Sequence, residues 1–106
     1  MKNARSEFDK LRETFVENRI NFISCELELG LTFCSIAQTT RIAEFRERSL
    51  VDAQTALDTA AKALAGRAIP EDVARGLREK LARLSSILRD VRMLSRQRTG
   101  DRRRPP

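Results

Sequence analysis

The sequence predicts an all-α fold, a three-helix up-down-up bundle, from three observations. Ala, Leu, Glu and Arg dominate while only four Gly and three Pro interrupt 106 residues, a composition that favours helices over strands. Apolar residues recur at helical rather than alternating spacing through most of the chain. The breakers cluster between periodic segments, at Gly66 to Pro70 and from Gly100 onward. The length suits one domain. The expected organisation is a helical domain over residues 1–98, with helices at about 6–39, 42–65 and 70–98, followed by a disordered basic tail over 99–106.

The first helix is expected to start at Ser6, where Ser6 and Asp9 have the spacing of a capping box. Phe8, Phe15, Phe22, Leu29 and Ile36 recur every seven residues, with Leu11 and Cys25 filling alternate positions between them. This stripe reads as the core face of the helix. Ile23, Leu27 and Phe33 widen it in the second half, which should therefore be the more deeply buried.

Where this helix ends is open on periodicity alone. No Gly or Pro lies between Leu31 and Ala65, and a single helix from 6 to 66 would be about 90 Å long and would have to dimerise to cover its stripe. Thr39-Thr40 instead suits a helix boundary, with Glu44 and Glu47 early in the next helix. The reading adopted is a turn near 39–43.

The second helix carries a narrow stripe of Leu50, Ala53, Leu57, Ala60, Ala61 and Leu64. Its small members let a neighbouring helix approach closely, and Gly66 is placed to end it. The third helix starts at Pro70, with Glu71 and Asp72 in the turn where negative charge is favoured. Val73, Leu77, Leu81, Leu84, Leu88 and Val91 give it the clearest amphipathic pattern in the chain.

Charge is unevenly placed. Residues 1–74 carry ten Lys/Arg and twelve Asp/Glu, whereas residues 75–106 carry eleven and three, so the +6 total belongs to the last third. At 100° per residue, Arg75, Arg78, Arg89, Arg92 and Arg96 fall within an arc of about 100° on the third helix. Arg98, Arg102, Arg103 and Arg104 extend the charge into the tail. Such a face suits an anionic partner, and a nucleic acid is one such partner. The reading preferred is a solvated or partner-binding helix face with cations at the helix end.

The chemistry-bearing residue types are scarce. There is no His, which removes the commonest general base and metal ligand and excludes histidine phosphotransfer. No phosphate-cradling glycine loop is present. Cys25 and Cys34 lie nine residues apart and point to opposite faces of one helix; they read as reduced thiols of a cytoplasmic protein. The chain is expected to hold no enzyme site, cofactor, metal or small-molecule substrate. No run approaches the roughly 18 apolar residues of a membrane span, so none is expected.

Residues Glu28 to Ala65 resemble a tetratricopeptide-type helical hairpin. Leu29-Gly30 with Phe33 matches the small and aromatic positions of that motif's first helix. Ala53, Leu57 and Ala60-Ala61 match its second. The halves lie about eleven residues further apart than the 34-residue repeat allows. The resemblance implies protein binding or assembly, the third helix covering the hairpin.

The functional expectation is a non-catalytic interaction or assembly module. The first helix should outreach its neighbours, leaving Phe8, Leu11 and Phe15 as an apolar partner surface for another protein, foremost a second copy of itself. The alternative is nucleic-acid binding through the third helix and tail.

Overall fold

The computed structural model describes residues 2–66 and 69–103, with side chains over 7–66 and 69–97. It contains three helices, α1 (Lys2–Thr39), α2 (Ala43–Leu64) and α3 (Glu71–Arg103), and no strand among the described residues. The chain turns at Thr40–Ile42, so α1 and α2 form a hairpin rather than one continuous helix. The Ile42 N–H donates to the Thr40 hydroxyl at 3.3 Å, and the Arg46 N–H begins α2 by donating to the Ile42 carbonyl at 3.0 Å. α3 then runs alongside α1, and all three elements pack against one another.

Several boundaries differ from expectation. α1 begins at Lys2, so Ser6 lies inside the helix rather than at its start. Pro70 precedes α3, its carbonyl accepting the Ala74 N–H at 2.9 Å. Gly66 follows α2 as expected but not in the left-handed conformation, since no described glycine has a positive φ. The end is instead a tightened turn in which the Ala65 N–H bonds to the Ala61 carbonyl and the Gly66 N–H to that of Ala63. α3 continues to Arg103, through the first five residues of the expected tail. A lone Gly100 costs a helix only about 1 kcal/mol, and Pro105 is the first residue that would stop it. Arg104 lies outside the described residues.

The core is built on a different face of α1 from the one the phenylalanines mark. Its buried residues are Ile23, Leu27, Cys34 and Ala37, with Gly30 also buried. Their spacing of 4-3-4-3 is that of a helix seam packed knobs-into-holes. They meet Leu50, Ala53, Ala60 and Leu64 of α2 and Ala74, Leu77, Leu84, Leu88 and Val91 of α3. Glycine, alanine and cysteine at the centre let the helices approach closely. At Gly30 the contact is so close that a β-carbon would come within 2.6 Å of a Leu84 methyl.

The helices are unequal in length, which makes the molecule long. Gly66 lies beside the Arg19 guanidinium, so α2 ends level with residue 19 and the earlier turns of α1 project past the bundle. α3 projects past the opposite end. The molecule measures 80 × 21 × 16 Å with a radius of gyration of 18.9 Å, against about 13 Å for a compact domain of this length.

Candidate interaction surfaces

The seven-residue stripe of α1 is exposed from end to end. Phe8, Leu11 and Phe15, on the projecting turns, are 69%, 57% and 74% exposed. Phe22, Leu29 and Ile36 run beside the bundle and were expected in its core, yet they are 46%, 44% and 41% exposed. The reason is rotational. At 100° per residue the stripe lies roughly 140° around α1 from the seam of Ile23, Leu27, Gly30, Cys34 and Ala37. The bundle takes the seam whose small residues fit it and leaves the bulky face outside.

The outer face is more apolar than its sequence suggests. Thr32 and Thr39 fall on it, but their hydroxyls donate back to the carbonyls of Glu28 and Ser35, each at 3.0 Å. This satisfies the hydroxyl within the helix itself. Cys25 is exposed on the same face. Asn18 is the one residue of the stripe between Phe8 and Ile36 with an amide to satisfy.

α1 also meets the length and hydropathy of a membrane-crossing helix, contrary to expectation. Within Glu7–Thr39 it holds an 18-residue window of mean hydropathy 1.3 with no more than two charged residues. Any such window must include Glu26 and Glu28. A helix apolar on two faces passes this test because one face serves the bundle core.

The arginines expected to share one face of the third helix lie on one continuous helix but border different depressions along it. Arg89, Arg92 and Arg96 line one groove between α2 and α3, about 300 Å³ in volume, together with Gln54, Leu57, Ser85 and Met93. None of the three forms an ion pair among the described residues. Arg78 is engaged elsewhere, paired with Glu71 at the start of α3, and it borders a separate depression with Leu64 and Ile69. Arg75 is exposed away from both. The side chains of Arg98, Arg102, Arg103 and Arg104 lie outside the described residues.

One charged residue not singled out in the sequence is buried. Arg46 is 5% exposed, and its guanidinium donates to the Thr40 carbonyl at 3.3 Å. It thereby places a cation at the C-terminal end of α1, where the helix dipole favours one. Its Nε–H has no protein acceptor, and it borders a cavity of about 20 Å³ lined by Ala37, Gln38, Val91, Leu94 and Ser95. That volume admits one water. A signal existed in the sequence, since Arg46 is in phase with Leu50, Ala53, Leu57 and Leu64.

Cys34 is buried in the seam, and burial raises its thiol pKa above 9.0, with the nearby Arg92 opposing the rise. No group of three or more Cys, Asp or Glu among the described residues could hold a metal ion. No protein family, curated protein or solved structure matches this chain.

Proposed function

We propose that the chain is a non-catalytic helical assembly module that self-associates through the outer face of α1. The observation that carries this reading is the exposed stripe from Phe8 to Ile36, apolar at every position but Asn18 and Thr32. It covers about 42 Å of helix and lies opposite the core. Contiguous apolar surface of that extent marks a partner site. The projecting turns support it further, because Phe8, Leu11 and Phe15 have no neighbouring helix to cover them. The resemblance to a tetratricopeptide hairpin also implies protein binding and agrees with this reading.

The test is a charge placed in the stripe. Phe15→Glu should shift sedimentation from dimer to monomer at micromolar concentration and leave the helical circular dichroism unchanged. An unchanged sedimentation coefficient would contradict the proposal.

A second reading is favoured by one specific observation, the convergence in a single groove of Arg89, Arg92 and Arg96, none of them ion-paired among the described residues. This is nucleic-acid binding by α3, with arginine suited to two-point contact with phosphate. Retention of an unrelated duplex at low salt would support it. Replacing the three arginines by Gln should then flatten the logarithmic salt dependence by about 0.9 per lost phosphate contact. No retention at low salt removes the reading.

A further inference from the structure

The outer stripe of α1 constrains its occupant more closely than its apolarity alone. We infer that the occupant is a second copy of this chain, whose α1 lies parallel and in register, so that each stripe residue meets its own counterpart. The inference rests on the self-association reading and adds to it an orientation and a register.

The spacing of the stripe is that of a two-stranded coiled coil. Phe8, Leu11, Phe15, Asn18, Phe22, Cys25, Leu29, Thr32 and Ile36 alternate three and four residues apart, as apolar seam positions must. The seam that α2 and α3 cover is centred about 140° away around α1, and the stripe is most open on the projecting turns, at Phe8, Leu11 and Phe15. The three phenylalanines would together remove ~300–450 Å² from water, a large share of the roughly 800 Å² per partner in a stable interface. Leu11, Leu29, Ile36 and the stems of flanking residues supply more.

Asn18 decides the orientation. In a parallel pair the two Asn18 amides face each other and can exchange hydrogen bonds, and a polar residue within an apolar seam fixes register in this way. In an antiparallel pair overlapping along the whole stripe, each Asn18 faces Leu29 of the second copy. The amide is then buried without a partner, at a cost of ~1–3 kcal/mol per amide. The same pairing puts Phe8 opposite Thr39.

The flanking charges agree. Parallel helices bring together residues five apart across the seam. Glu7 then meets Arg12 of the second copy, Thr14 meets Arg19, Asn21 meets Glu26 and Glu28 meets Phe33. One pair is attractive, twice by symmetry, and none is repulsive. The fully overlapped antiparallel pair sets Arg19 beside Glu26 of the second copy, also twice, so the flanking charges permit the parallel register and Asn18 makes the choice; slid by one heptad, the antiparallel pair sets Arg19 beside Arg19.

Cysteine cross-linking of the full chain reads this geometry. Two reporters are used, native Cys25 and Leu11→Cys on a Cys25→Ser background, each oxidised with diamide at micromolar concentration. Both should shift on a non-reducing gel from 12.1 kDa to twice that mass. Cys25→Ser alone should not shift, since Cys34 is buried. In the fully overlapped antiparallel pair, the two positions 11 lie about 37 Å apart along the axis and cannot bond. A chain that is dimeric by light scattering but does not cross-link through Leu11→Cys overturns the parallel register and leaves self-association standing. A chain that is monomeric by light scattering overturns both.

Discussion

Gly30 and Gly76 are both helical glycines, and their surroundings give them opposite consequences. A β-carbon at Gly30 would press on Leu84, which is fully buried. Gly30→Ala should therefore destabilise the fold by up to about 2 kcal/mol, the ~1–3 kcal/mol of overpacking a filled core less about 1 kcal/mol gained in helix propensity. At Gly76 nothing lies within 4 Å of the added carbon, so Gly76→Ala should stabilise α3 by up to about 1 kcal/mol through helix propensity. Urea denaturation of the two variants reads both signs. The cysteines separate in the same way. At neutral pH a thiol reagent should label Cys25 quickly in the dissociated Phe15→Glu chain, and buried Cys34 only as that chain opens. Since burial raises the folded-state pKa of Cys34, its thiol is harder to ionise folded than unfolded. The resulting share of stability is complete below pH 9.0 and is lost as pH climbs through the folded value. Cys34→Ala should reduce the slope of that loss, measured as denaturation midpoint against pH.

At the scale of elements, α1 is a helix with two apolar faces, and this is where the sequence was hardest to read. The break between α2 and α3 and the core stripe of α3 follow directly from breakers and periodicity, because α3 has one apolar face and nothing to confuse it, whereas the turn at 40–42 is marked only by Thr39-Thr40 and the acidic residues after it. In α1 the bulkiest apolar residues form the outer stripe, so weighting by hydrophobicity selects Phe8, Phe15, Phe22, Leu29 and Ile36 as core. The bundle instead buries Gly30, Cys34 and Ala37, whose value is smallness. Their match to Ala53, Ala56 and Ala60 across the hairpin was the available signal. The projection of Phe8, Leu11 and Phe15 could be anticipated from helix lengths. The separation of the arginines along α3 could not, since a helical wheel superimposes residues on one face and hides how far apart they lie along the axis; Glu71, seven residues before Arg78 and in phase with it, was the signal for their pairing. The groove of Arg89, Arg92 and Arg96 makes its own prediction. Any anionic partner held there should dissociate with rising salt, and Arg78→Gln, outside the groove, should leave its binding unchanged in a titration.

For the whole molecule, unequal helices convert a small bundle into a rod 80 Å long, exposing one apolar face along α1 and a cationic groove between α2 and α3. Side-by-side pairing of α1 predicts a dimer whose maximum dimension in small-angle X-ray scattering stays near that of one chain, whereas end-to-end contact would extend it toward twice that length. The two surfaces lie on different helices, so assembly through α1 leaves the arginine groove open. The most direct measurement of the central claim is the mass of the full chain by light scattering at micromolar concentration. Self-association through α1 predicts twice the 12.1 kDa chain mass, falling to the chain mass in Phe15→Glu. A mass of 12.1 kDa for the unaltered chain would contradict it.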